Sequence, residues 1–159
     1  MTDMPELRSV TLKRTFDAPI DLVFRACSEG EHIRNWMKCD ADATLDITSW
    51  EVRVGGAIDY KMAKPGVFEA RTTGRVIEVD PPRVFAFTSD PDPGFGTPEL
   101  TVRFELAEVE GGKTELTLTH SGLPGEEMCN IVTGGWTNGL AMLGELVEAQ
   151  ARDESTASS

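Results

Sequence analysis

Two histidines, three cysteines and a single tyrosine are the side chains of this chain that could do proton, thiol or hydrogen-bond chemistry near neutral pH. His120 is the most informative. It shares parity with Leu116 and Leu118 in an alternating run, which aims its side chain inward at the end of a strand. An inward imidazole can serve as acid, base or hydrogen-bonding anchor for a ligand, and it can equally be a core histidine satisfied by a backbone carbonyl. His120 is the one candidate catalytic residue, with both roles open. His32 stands near Trp36 on a short helical stretch and reads as a surface or packing residue. Cys27 and Cys129 fall on apolar helical faces as small hydrophobes, whereas Cys39 lies in the polar turn Lys38-Cys39-Asp40 and is the candidate reactive thiol. It has no His or Asn neighbour in the sequence to activate it.

Nothing in the chain has the spacing of a metal site, a nucleophile elbow, a phosphate loop or a dinucleotide fingerprint, so neither a metal nor a cofactor is expected. The aromatic set Trp36, Trp50, Tyr60, Phe68, Phe87, Phe104 and Trp136 is chiefly core material. Part of it, with Leu140 and Leu143, could line a cavity, since ligand cavities are walled by such side chains. The mid-strand charges Asp46, Arg53, Glu69 and Arg71 are expected on the outer face of a sheet, because an unpaired inward charge would be very costly.

The elements that must position these residues come in an informative order. Val10, Leu12 and Phe16 alternate in a first strand over Ser9 to Phe16, which Asp17-Ala18-Pro19 ends. Ile20, Val23, Phe24 and Cys27 recur at helical spacing, Gly30 stops that helix, and a second short helix over Glu31 to Trp36 buries Ile33 and Trp36. From Thr44 the period becomes two. Leu45, Ile47, Trp50, Val52 and Val54 lead to a bend at Gly55-Gly56, and Ile58, Tyr60 and Met62 share one face of the next strand. Phe68, Ala70 and Thr72 follow the Pro65-Gly66 turn, with a bulge expected at Gly74, where the register slips towards Ile77 and Val79. Phe85 and Phe87 alternate after Asp80-Pro81-Pro82. The segment Ser89 to Pro98, with Phe95 in it, reads as a cover near a cavity mouth.

Leu100, Val102, Phe104 and Leu106 form the cleanest alternation, and Glu110-Gly111-Gly112-Lys113 turns it into the strand that carries His120. Cys129, Val132, Trp136, Leu140, Leu143 and Val147 then lie on one helical stripe. From Gly134 to Ala151 such a helix is about 27 Å long, enough to cross a sheet of eight-residue strands. Gly135, Gly139 and Gly144 each weaken it by about 1 kcal/mol relative to Ala, which implies either close backbone packing or tolerated looseness. A long antiparallel sheet with one long helix for a lid must curl around that helix, and a pocket between them is the natural consequence.

Composition bounds the reading. The 159 residues make one domain on length, with 40% hydrophobic and 26% charged residues, as in a soluble globular protein. Fifteen basic against 27 acidic residues give a net charge of −12, which argues against nucleic acid and against an anionic membrane surface. No apolar run approaches a membrane span. The first residues, Met1-Thr-Asp-Met-Pro-Glu, lack the basic and apolar parts of a secretory signal, and three unclustered cysteines fit a reducing compartment, so a cytoplasmic location is expected. Residues 1–7 and 152–159 read as tails flanking a domain over 8–151, the latter as disordered.

With these pieces in order the chain resembles the START-like (SRPBCC) superfamily of helix-grip folds. Within it the similarity is to the branch named after the activator of the heat-shock chaperone ATPase. The resemblance rests on Arg14-Thr-Phe-Asp-Ala-Pro-Ile-Asp-Leu-Val-Phe24, Glu31-His-Ile-Arg-Asn-Trp36, Val52-Arg-Val-Gly-Gly56, Gly74-Arg-Val-Ile-Glu-Val-Asp-Pro-Pro82, Thr114-Glu-Leu-Thr-Leu-Thr-His120 and Gly135-Trp136, from about Arg8 to Ala151. It implies an α+β helix-grip fold: a seven-stranded antiparallel sheet curled around a long C-terminal helix, with two short helices after the first strand and a cavity between sheet and helix. Met37 stands where members of that branch often carry a second aromatic, which would soften or widen one wall. The expected function is binding of a small apolar ligand in that cavity. The alternatives are a cavity enzyme of cyclase, dehydratase or hydrolase type in which His120 meets Tyr60 or a carboxylate, and a chaperone-interacting module. Monomer and homodimer both stay open.

Overall fold

Alternation of apolar and polar residues sorts the strands, and the order of strands explains where the helices must go. The computed structural model describes residues 7–94 and 96–157. It contains β1 (Leu7–Phe16), α1 (Ile20–Ser28), α2 (Gly30–Trp36), β2 (Thr44–Trp50), β3 (Ala57–Lys64), β4 (Phe68–Asp80), β5 (Val84–Ser89), β6 (Leu100–Val109), β7 (Lys113–Pro124) and α3 (Gly125–Ala157). The seven strands make one antiparallel sheet ordered β1-β7-β6-β5-β4-β3-β2. β1 and β2 are therefore its opposite edges, and α1 and α2 form the connection that crosses from one to the other. α3 packs on β1 and β7 and on both short helices, completing the helix grip.

The core sits between the inner sheet face and the helices. Phe85, Phe87, Val102, Phe104, Leu106, Leu116 and Leu118 point into it with the expected parity, and Ile33 and Trp36 meet them from α2. Two indole groups fasten α1 from the side. The last carbonyls of a helix lack intrahelical donors, and here the Trp36 indole N–H donates to the Ala26 carbonyl at 2.7 Å and the Trp50 indole N–H to the Ser28 carbonyl at 2.7 Å. The outer face carries the charges: Arg71 donates twice to Asp59, at 3.0 and 2.7 Å, and Asp46, Glu69 and Arg71 are exposed.

Four local expectations need correction. Val52 and Val54 lie outside any strand: β2 ends at Trp50 and Glu51–Gly56 is a loop that exposes both valines. Arg53 accordingly sits in this loop, exposed and beside Glu51 at 3.3 Å. The register shift in β4 falls between Val76 and Glu78, beyond Gly74, so that Val76 is buried and Ile77 faces out. Gly74 has a different reason to be there, since a Cβ on it would stand 1.7 Å from the Thr88 carbonyl oxygen across the ladder. Lastly, α3 begins at Gly125 and runs through the expected tail to Ala157.

Close packing accounts for two of the helix glycines. A Cβ on Gly139 would meet the Trp36 carbonyl at 3.2 Å, and one on Gly144 the Phe16 ring at 3.2 Å, so the absent side chains let α3 approach α2 and β1. Burial along the helix stripe is graded. Leu140, Leu143 and Val147 are buried, whereas Cys129, Val132 and Trp136 are only half-buried. The interior is solid under the C-terminal half of α3 and looser under its N-terminal half.

Candidate functional site

Under the looser half of α3 lies a pocket of about 220 Å³, a cavity open on one side. Val132, Gly135 and Trp136 wall it from the helix, Tyr60 and Met62 from β3, His120 from β7, and Met37, Lys38 and Cys39 from the turn after α2. Strand parity aims Tyr60 and Met62 at the same side, and burial pushes the Tyr60 phenol pKa up. Two devices hold the turn in place. Asp40 accepts the backbone N–H groups of Asp42 and Ala43 at 2.9 and 3.1 Å and the Lys64 ammonium, and Asn138 of α3 donates to the Cys39 carbonyl at 3.0 Å. The Lys64 hydrogen bond holds the Asp40 carboxyl below the usual carboxylate range. The wall is mostly apolar, which suits a ligand that brings few polar atoms.

His120 is the exception in that wall. The Trp136 indole N–H donates to His120 Nδ1 at 2.9 Å, and the rings meet edge to face with centroids 6.0 Å apart. An indole nitrogen can only donate, so Nδ1 must carry the lone pair and the proton of the neutral ring resides on Nε2. Nε2 is buried and has no hydrogen-bond partner. Burial pushes the His120 pKa down from 6.5 to about 4, because the charged ring would be stranded without solvation. The His120 ring therefore carries one neutral N–H that is unpartnered and closed to solvent. The ring's basic lone pair is occupied.

The depressed pKa has a thermodynamic consequence. Between pH 6.5 and about 4 the unfolded chain binds the histidine proton and the folded chain does not, so stability is highest above pH 6.5 and falls with pH through this window. The shift corresponds to a loss of about 3 kcal/mol by pH 4. Urea unfolding of wild type and His120→Phe at a series of pH values measures it: wild type should lose this increment and the variant should not. Parallel curves for the two proteins from pH 7 to 4 would refute it.

A model of the activator of Hsp90 ATPase homolog 1-like family matches residues 17–148. The chain belongs to this family. Among solved structures, protein CV1439 from Chromobacterium violaceum superimposes with a TM-score of 0.80 at 24% identity, covering 88% of this chain and 96% of that one. A solution structure from Staphylococcus epidermidis gives 0.72 at 25% identity, with 94% and 95% covered, and CalU16 from Micromonospora echinospora gives 0.65 at 26%, with 95% and 83% covered. No curated protein matches the chain.

In this member of the activator of Hsp90 ATPase homolog 1-like family, the aromatic and apolar candidates divide sharply. Tyr60, His120 and Trp136 meet at the cavity. Trp36, Phe87, Phe104, Leu140 and Leu143 are buried in the core and do not line it. Trp50 is half-buried against Tyr60, Phe85 and Phe87, and Phe68 is half-buried at the start of β4; neither reaches the cavity. From the segment expected as a cover, Ser89–Pro93 and Thr97 line a separate groove with Thr72, Thr73 and Met128 rather than this cavity's mouth, and Phe95 lies outside the described residues. The turn residues Met37, Lys38 and Cys39 and the opposing Met62, Val132 and Gly135 complete the lining. Met37 is itself part of that wall and is 3% exposed. No helix among the described residues is long and apolar enough to cross a membrane.

Proposed function

We propose that this family member is a small-molecule binding protein whose cavity beneath the N-terminal half of α3 takes a compact, largely apolar ligand. The observation that carries the reading is the cavity of about 220 Å³ walled by Met37, Tyr60, Met62, Val132 and Trp136. Apolar cavities of about 150 Å³ already hold benzene, so this one has room for a fused bicyclic ring system. A general base at His120 would need the Nδ1 lone pair, and Trp136 occupies it. Binding is the better supported use of the site. The test is thermal unfolding with the bicyclic hydrocarbon indane, backed by native mass spectrometry of protein purified without detergent. Ligand at 100 times its Kd should stabilise the fold by about 2.7 kcal/mol. An unfolding curve that does not move, with no co-purified mass, removes the reading.

A second reading has specific support. The family description names a chaperone ATPase activator, and Val54 and Ile77, 65% and 47% exposed, flank the Gly55 N–H to Val76 carbonyl contact at 2.8 Å. Exposed aliphatic residues outside the cavity are what a docking module needs. Pull-down by a purified Hsp90-type chaperone that Val54→Asp and Ile77→Asp both abolish would favour it over ligand binding.

A further inference from the structure

We infer that His120 Nε2–H is the recognition point of the cavity, selecting apolar ligands that carry one neutral hydrogen-bond acceptor such as a ketone or ether oxygen. This rests on the ligand-binding reading above and adds the chemistry of the ligand. Trp136 fixes the tautomer by donating to Nδ1 at 2.9 Å, which leaves the proton on Nε2 with neither protein partner nor solvent contact. Buried donors are nearly always satisfied, and one left open is costly to the free protein. That cost is removed when an acceptor arrives, so the open donor favours the bound state. Of the other polar groups on the wall, the Trp136 N–H is spent on His120, and the Tyr60 hydroxyl can both donate and accept and so does not select for an acceptor. Against the uncharged His120 ring itself a carboxylate would be desolvated without a counter-charge, so at Nε2 a neutral acceptor is favoured, while the half-buried Lys38 is the one cationic group on the wall. Met37 and Met62, unbranched and adaptable, border the same space and can re-pack to admit the acceptor to Nε2, which is closed even to water in the free protein.

Indane and 1-indanone, which share a ring system and differ by a carbonyl, separate this inference from the reading beneath it. Their dissociation constants are measured by calorimetry on wild type and on His120→Phe. Comparing the ratio of the two constants between proteins cancels the different hydration of the ligands. The preference for 1-indanone over indane should be about tenfold greater in wild type, the net worth of one hydrogen bond. Long-range proton–nitrogen correlation spectra of wild type supply a second readout, independent of whether the variant folds. They should show the proton on His120 Nε2 and a downfield move of that proton with 1-indanone but not with indane. If both compounds bind, the Nε2 proton stays put and the ratio is unchanged by His120→Phe, the inference falls while the cavity reading stands. If neither compound binds, both fall together.

Discussion

Trp36→Ala is expected to be among the most damaging single substitutions in this protein. The side chain is fully buried, stands edge-on to Phe104 at 6.0 Å and touches Trp136 at 6.3 Å. Truncating a buried Trp costs about 3–5 kcal/mol, and stranding the Ala26 carbonyl, whose donor is the Trp36 indole, adds about 1–3 kcal/mol. Whole domains are stable by only about 5–15 kcal/mol, so the variant should be largely unfolded or collapse at low urea. Trp36→Phe keeps most of the ring volume and loses the hydrogen bond, and should fall between the two. Urea midpoints of the three proteins check the order. A Trp36→Ala protein within 1 kcal/mol of wild type would mean that neither the packing nor the helix-end hydrogen bond has the weight given to it here.

The same tryptophan shows why the fold was more legible than the site. Parity and helical spacing depend on one residue type at a time, so β6, β7 and the α3 stripe could be read directly from Leu100–Leu106, Leu116–His120 and Val132–Val147. Which aromatic side chains stand back in the core and which border empty space is a difference between packed volumes, and spacing does not carry it. Trp36 and Trp50 were equal candidates with Trp136, but their indole N–H groups are drawn to the open carbonyls at the end of α1, away from the cavity. Val52 and Val54 continue the strand alternation past Trp50 although the backbone there turns into the Glu51–Gly56 loop, so spacing alone does not mark where β2 ends.

One missed part of the wall did leave a signal. Gly135 and Gly139 are four apart and share a helix face. A Cβ on the first would lie 3.9 Å from Cys39 Cβ, and one on the second 3.2 Å from the Trp36 carbonyl. The pair marks where another backbone segment presses against α3, and that segment is the turn that brings Met37, Lys38 and Cys39 to the cavity. His120 shares the parity of Leu116 and Leu118, but spacing gives no sign of its partner, since Trp136 is sixteen residues away in another element and the bond depends on how α3 lies across β7.

Leu143→Ala should destabilise the protein at least as much as Trp136→Ala, although tryptophan is far the larger side chain. Leu143 is fully buried and lies under the solid half of α3, so its removal should cost about 2–5 kcal/mol, at the upper end if the surrounding core cannot close around the gap. Trp136 is half-buried, with one side on the cavity. Its truncation deletes contacts with Trp36 and Phe104 but opens onto space that is already unfilled, and should cost about 1.5–3 kcal/mol. The His120 Nδ1 that loses its donor can then be reached by water through the widened cavity, which limits the penalty. In a solid interior the order would be reversed, because a fully packed tryptophan loses more than a leucine. Urea denaturation of the two variants under one set of conditions decides between a hollow and a filled end of the grip. A Trp136→Ala loss exceeding that of Leu143→Ala by 2 kcal/mol or more would place Trp136 in solid core and remove the space on which ligand binding depends.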